Sequence, residues 1–144
     1  MAKLASFRIN SRAIEEGEWV AAGDEWGDLE VKVRGFTNAY HDARNAAIRR
    51  AAVPYAGQAD RIPSAIADRI VCDCVIKHLF LDVRNLTGDD GQPVTREQFV
   101  ELMRNPDFKP LVNAVIVAAA KVGQIREAEA EAAEGNSARL SAGH

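Results

Sequence analysis

The longest hydrophobic pattern in the chain covers residues 62–81 and predicts a buried helix. Apolar residues recur there at spacings of three and four, which places them on one wide stripe of a helix: Ile66, Ile70, Val71, Cys74, Val75 and Leu79. From Ile70 onward apolar residues occupy nearly the whole circumference, which is typical of a central helix. Pro63 suits the first turn because its missing N–H would be unpaired there. We therefore expect a helix over residues 63–83 against which the other elements pack.

A strand pattern stands at residues 29–34, where apolar and charged residues alternate. This alternation puts Leu29, Val31 and Val33 on one face of a strand. A glycine-rich loop before it allows residues 19–21 to pair with it as a hairpin. Because an isolated hairpin is marginal in water, we expect the β element over residues 17–35 to lean on the helices.

Two further helices are predicted from capping residues at their N-termini. Thr37 is a suitable N-cap for a helix over residues 37–52, whose core stripe would hold Phe36, Tyr40, Ala43 and Ala47. Thr95 and Gln98 have the spacing of a capping box and open a helix over residues 95–104.

The remaining segments are predicted from composition and stop signals. Pro106 ends the preceding helix, and a last helix is expected over residues 107–133, apolar in its first half and rich in alanine and glutamate in its second. Residues 135–144 have the composition of a flexible tail. The alternation of Phe7 and Ile9 with polar residues is consistent with a short strand.

Together these elements predict one globular domain over residues 1–134. Its class is mainly α with a small N-terminal β-hairpin (α+β): a four-helix core with a short antiparallel β element. The 144 residues, 47% of them hydrophobic and 27% charged, are sufficient for a real core.

Charge and hydropathy exclude several functional classes. A net charge of −3 gives no electrostatic footprint for nucleic acid. No apolar run reaches the roughly 18 residues of a membrane span, so no membrane partner is expected. The first fifteen residues lack an apolar core and a small-residue cleavage site, so no secretory signal is predicted.

Candidate metal and catalytic sites are weak. The turn with Asp89, Asp90 and Gly91 resembles an EF-hand loop, but Leu86 and Gly88 then fall where the first two oxygen ligands should be. Cys74 and His78 have ligand spacing without a second pair. Cys72 and Cys74 point to opposite sides of a helix and cannot bridge there. No serine elbow, reactive cysteine setting or phosphate loop is present. We expect no cofactor, no metal and no enzymatic activity.

Two features instead indicate a binding surface. Residues 15–30 carry seven acids, no base and two tryptophans, Trp19 and Trp26. These tryptophans either seal the hairpin against the helices or contribute to an interface. The last helix is apolar around its circumference, and such a surface must be covered by the fold or by another chain.

The order of motifs resembles the tail assembly chaperones of long-tailed, siphovirus-like phages, prophages and gene transfer agents. The resemblance is carried by residues 16–20 (EGEWV), 26–36 (WGDLEVKVRGF), 81–95 (LDVRNLTGDDGQPVT), 105–107 (NPD) and 135–137 (GNS). It extends over roughly residues 15–137.

The resemblance implies a protein that binds the tape-measure protein, keeps it soluble and helps tail tube protein polymerise around it. It also implies a location in the cytoplasm of the bacterial host and absence from the mature virion. Whether the chain also associates with itself stays open. We expect the partner surface to include these residues: Trp19, Trp26, Phe36, Leu111, Val115, Ile116 and Val122. Two alternatives stay open, a structural virion component such as a head–tail connector or minor tail protein, and a small bacterial regulator.

Overall fold

A computed structural model describes residues 1–124 of the chain. This part is mainly helical with one three-stranded antiparallel sheet, which confirms the predicted α+β class. The helices are α1 (Ser11–Glu16), α2 (Asn38–Ala52), α3 (Ser64–Cys74), α4 (Arg96–Arg104) and α5 (Lys109–Lys121). The strands are β1 (Glu18–Ala21), β2 (Glu30–Val33) and β3 (Phe80–Arg84). Within residues 1–124, no helix combines the length and apolarity needed to cross a bilayer.

The sheet has the order β1-β2-β3 and closes one side of the core. Strands β1 and β2 form the expected hairpin, and β3 adds a strand that the sequence pattern did not predict. Val20 lies opposite Val31, which lies opposite Val83, so an apolar row crosses all three strands. All three valines are buried, because successive side chains of a strand alternate between the two faces.

The central helix is shorter than predicted. Helix α3 ends at Cys74, a single π-helical turn covers Val75–Leu79, and Phe80 begins β3. The Phe80 N–H donates to the Val75 carbonyl, five residues back. The prediction of helix over residues 80–83 is therefore wrong. Pairing with β2 satisfies the backbone of this segment and buries Phe80 and Val83, and a continuous apolar run does not distinguish a buried strand from a buried helix.

The start of the chain is also different from the expectation. Residues Leu4–Phe7 form a 3-10 turn rather than a strand. Ile9 makes one isolated bridge with Gln124. Asn10 then caps α1, since its side chain accepts a hydrogen bond from the Ala13 N–H at 3.1 Å. The alternation of Phe7 and Ile9 reflects exposed side chains rather than a strand face.

Both predicted helix caps are present. The Thr37 hydroxyl accepts a hydrogen bond from the Tyr40 N–H at 3.3 Å at the start of α2. Thr95 and Gln98 form the reciprocal capping box of α4, with distances of 3.2 and 2.9 Å. These local signals place both helices within one residue of their predicted starts.

The last helix is bounded differently from the prediction. A 3-10 turn over Pro106–Phe108 precedes α5, which ends at Lys121. Gly123 takes a left-handed backbone conformation (φ +76°), and Ile14 lies where its Cβ would be. The Gly123 N–H donates to Glu18 Oε1 at 3.1 Å, and its carbonyl accepts from the Asn10 N–H at 2.7 Å. The predicted helix over 125–133 and the tail over 135–144 lie outside the described residues.

The core lies between the sheet and the helices α3, α4 and α5. Phe80 of β3 stacks on Phe99 of α4, with 4.9 Å between ring centroids and 18° between ring planes. The other large side chains that are fully buried pack around this pair: Val31, Val33, Val75, Leu79 and Val115. Offset aromatic stacking adds about 0.5–1.5 kcal/mol to the stabilisation from burial.

We predict that Phe99→Ala lowers the free energy of unfolding by about 3–5 kcal/mol, because it removes the stacked ring and leaves a cavity. Urea denaturation followed by circular dichroism measures the change. Phe7→Ala is the matched control: Phe7 is largely exposed, so its loss should change stability by no more than about 0.5 kcal/mol. Equal losses in the two variants would contradict the assigned core.

Candidate binding groove

A groove open to solvent lies between α3 and the corner where α4 turns into α5. Its volume is about 510 Å³. Its floor consists of five apolar residues that are buried or half-buried: Val71, Cys72, Met103, Val112 and Ile116. Its charged lining consists of five exposed residues: Asp68, Arg69, Asp73, Arg104 and Lys109. The remaining apolar lining residues, Ala65 and Pro106, are exposed, so the groove has an apolar floor and a mainly charged rim.

The corner between α4 and α5 gives the groove one of its walls. Asn105 leaves the helical conformation, and its side chain accepts a hydrogen bond from the Asp107 N–H at 3.0 Å. Pro106 has no N–H to continue the helical ladder. The chain therefore turns sharply here, and Arg104 and Lys109 are placed at the same corner of the rim.

Two ion pairs cross the groove. Asp73 of α3 pairs with Arg104 of α4, and Asp68 of α3 pairs with Lys109 of α5 through a 3.0 Å contact. All four side chains are more than half exposed, and such pairs contribute only about 0–1 kcal/mol. They set the positions of the rim charges and can exchange partners at little cost.

Arg69 supplies the excess positive charge of the groove. Its rim holds three cations (Arg69, Arg104 and Lys109) against two anions (Asp68 and Asp73). Both carboxylates are engaged with Arg104 and Lys109, and Arg69 makes no ion pair with another described residue. The rim therefore favours a partner that brings at least one carboxylate.

The Cys72 thiol belongs to the floor and is not activated. It donates a hydrogen bond to the Met103 carbonyl at 3.2 Å. Burial raises the pKa of Cys72, Arg104 lowers it to a smaller extent, and Asp73 raises it further. The thiol is thus held in its neutral form, whereas a nucleophilic cysteine needs a lowered pKa.

Three apolar side chains that are adjacent in the chain to groove residues are exposed but do not line the groove. Ile66, Phe108 and Val117 are 42%, 43% and 49% exposed. Each follows or precedes a lining residue in the chain: Ala65, Lys109 and Ile116.

The α5 residues predicted for partner binding separate into two groups. Val115 and Val122 are buried inside the monomer, so their assignment to a partner surface is corrected: they pack in the core. Leu111 and Ile116 are half-buried against the core, and Ile116 also lines the groove. Most apolar side chains of α5 are buried inside the domain, which explains why the helix is apolar around its circumference. Val117 is an exception, because it faces the solvent.

The predicted aromatic residues lie elsewhere. Trp19 is half-buried on the outer face of the sheet, with the Arg84 guanidinium 4.2 Å from its ring centroid. Trp26 is 41% exposed on the 3-10 turn between β1 and β2. Phe36 packs with Tyr40, with 5.3 Å between ring centroids, and neighbours His41. Of the seven predicted partner-binding residues, only Ile116 lines the groove.

The charged rim was missed by sequence reasoning. Asp68 and Asp73 interrupt the apolar pattern of the central helix, and Arg104 and Lys109 flank the Asn105-Pro106 break. Opposite charges at these places are a signal that the two segments face each other. Without the tertiary arrangement, however, these residues have the pattern of ordinary solvated charges.

The candidate calcium loop has a structural role. Asp90 Oδ1 accepts a hydrogen bond from the Gln92 N–H at 3.0 Å, and Gly91 is left-handed at φ +78°. An isolated bridge between Thr87 and Pro93 closes the same turn. Among residues 1–124, no group of three or more His, Cys, Asp or Glu side chains is arranged to hold a metal ion.

A comparison with protein families identifies the group to which this chain is related. The model of the YdaY prophage protein family matches residues 36–136. The chain belongs to the YdaY prophage protein family. No curated protein and no solved structure matches the chain significantly.

The YdaY match covers the whole groove. Every lining residue falls between Ala65 and Ile116, inside the matched range of 36–136. The hairpin with Trp19 and Trp26 precedes that range. The groove therefore lies inside the range that matches the YdaY family model, and the two tryptophans lie before it.

We predict that stability falls as the pH rises above 9.0, the ordinary pKa of a thiol. Burial raises the pKa of Cys72, Cys74 and Tyr40 in the folded protein, so folding favours their neutral forms. Their contribution is complete below the unfolded-state pKa and is lost as the pH passes through the folded-state pKa. Urea denaturation at a series of pH values measures it, and the double variant Cys72→Ala/Cys74→Ala should show a shallower decline. An unchanged slope would contradict this assignment.

Proposed function

We propose that this protein is a non-catalytic tail assembly chaperone of a phage or prophage. It would bind the tape-measure protein in the host cytoplasm and promote polymerisation of tail tube protein around it. The observation that carries the proposal is the groove between α3 and the α4–α5 corner, with its apolar floor and charged rim. The YdaY family match supports the phage context, and the resemblance in motif order supports the role in tail assembly.

The groove suits an amphipathic helix. Recognition of this kind places the apolar face of a client helix in a hydrophobic groove between helices of the receptor. Helix α5 is about 20 Å long at 1.5 Å per residue, enough to contact several turns of a client. A client carboxylate beside the apolar face would pair with Arg69. Such a contact masks apolar side chains of the tape-measure protein until tube subunits replace the chaperone.

The lining of the groove favours binding over catalysis. Its carboxylates are engaged with Arg104 and Lys109 across the groove, and burial keeps the Cys72 thiol neutral. Ion pairs of about 0–1 kcal/mol also rearrange readily. We infer a site that captures and releases a chain without altering its covalent structure.

We predict that Asn113→Trp abolishes capture of the tape-measure protein. Asn113 is exposed and lines the groove, so an indole there fills the space that a client helix needs. Co-expression with the tape-measure protein of the same phage or prophage, followed by pull-down, measures capture. The loss of affinity should exceed about tenfold, as expected when a steric block removes central contacts.

Asn45→Trp is the matched control. Asn45 is also an exposed asparagine within a helix, α2, and does not line the groove. It should leave capture unchanged, and circular dichroism should show both variants folded. If the wild-type protein captures no tape-measure protein, the proposed function fails. If the Asn113→Trp protein captures it normally, the groove is not the client site.

We also predict that purified virions lack this protein. An assembly chaperone leaves when the tail tube closes around the tape-measure protein, whereas a head–tail connector or minor tail protein remains. Quantitative mass spectrometry of particles, with the tube protein as the internal reference, separates these functions. Stoichiometric presence of the chain in particles would favour the structural role.

A further inference from the structure

The loop between β1 and β2 presents a tryptophan surrounded by negative charge. This Trp26 loop comprises residues 24–28, and its indole is 41% exposed. Its acidic side chains Asp24, Glu25 and Asp28 are exposed and make no ion pair with another described residue. The loop therefore combines an apolar anchor with a charge of −3 from these three residues.

Hydrogen bonds hold the Trp26 loop in one shape. The Trp26 N–H donates to the Gly23 carbonyl at 3.0 Å, and the Leu29 N–H donates to the Trp26 carbonyl at 3.3 Å. The Asn85 side chain donates to the Asp28 carbonyl at 3.0 Å and ties the loop to the end of β3. A preorganised loop loses little conformational entropy on binding.

The groove is large enough to hold the Trp26 side chain, and the charge of its rim is opposite to that of the loop. Its volume of about 510 Å³ exceeds what one indole side chain needs, and its floor is apolar. Its rim carries Arg69 without an ion pair to a described residue, and Arg104 and Lys109 in exposed, exchangeable pairs. Tryptophan and arginine are the residues most enriched at the centres of protein interfaces.

No residue of the Trp26 loop lines the groove of its own chain. The loop is at the turn of the hairpin, whereas the groove is formed by α3 and the α4–α5 corner. Contact between the Trp26 loop and the groove is therefore expected between two copies of the chain rather than within one.

We infer that the Trp26 loop of one copy binds the groove of a second copy when no client is present. Such a contact joins two different surfaces, so each added copy leaves one loop and one groove available, and the assembly grows head to tail as an open chain or a closed ring. The contact also covers the apolar floor that would otherwise face solvent. Because it uses the groove assigned to the tape-measure protein under the proposed function, client binding and self-association compete.

Mixing two complementary variants tests the inference without any client. Trp26→Ala removes the anchor and keeps the groove, whereas Asn113→Trp blocks the groove and keeps the loop. Each variant alone should be monomeric by light scattering coupled to size-exclusion chromatography, with self-affinity weakened by about 30-fold or more. An equimolar mixture should form a one-to-one heterodimer that grows no further, since each pair has only one intact loop and one intact groove and the contact uses both.

Two further variants keep the test interpretable. Glu25→Lys leaves the indole in place and should weaken association as Trp26→Ala does. It therefore tests the role of the loop even if the Trp26→Ala protein fails to fold. Asn45→Trp should associate as the wild-type protein does. The inference is overturned if the wild-type protein is monomeric at its highest soluble concentration, if either blocking variant still self-associates, or if their mixture stays monomeric. Because no tape-measure protein is present, none of these results bears on whether the wild-type protein captures that client.

Discussion

The structure depends on the burial of one apolar segment, residues 75–80, between the sheet and the helices α4 and α5. Val75, Leu79 and Phe80 are almost fully buried, and Phe80 stacks on Phe99. Burying side chains of this size contributes about 1.5–3 kcal/mol each. The segment also joins α3 to β3, so the same contacts that stabilise the core fix the helix relative to the sheet. Residues 75–80 therefore also determine where the groove lies, because α3 forms one of its walls.

Local sequence signals predicted the elements whose ends are determined by local chemistry. The Thr37 cap, the Thr95–Gln98 box and the alternation around Val31 and Val33 all involve groups within a few residues of each other, and the structure contains each of them. Strand β3 was taken for helix because its pairing partner lies some fifty residues earlier in the chain, at Glu30–Val33. The end of α5 at Lys121 was missed because it depends on contacts of Gly123 with Asn10, Ile14 and Glu18.

The binding surface was harder to predict than the fold. An apolar helix such as α5 provides both core and surface, and periodicity alone does not tell which of Val115 and Val117 faces the solvent. The rim of the groove arises from charges on α3, α4 and α5 that come together only after folding. The YdaY family match spans this region, while the tryptophans emphasised by composition precede it. The groove therefore lies inside the matched range and the Trp26 loop lies before it.

The π-helical turn over Val75–Leu79 has a consequence for how this chain tolerates insertions and deletions. A turn of this kind contains one residue more than an ordinary α-helical turn, and it sets the rotational phase between α3 and β3. Loss of a single residue there would rotate α3 by about 100° about its axis, at 3.6 residues per turn. Asp68 and Asp73 would then leave the wall that faces α4 and α5, and the residues before them in the chain, Ala67 and Cys72, would take their place. Length in this short segment is therefore constrained as well as the identity of its buried residues.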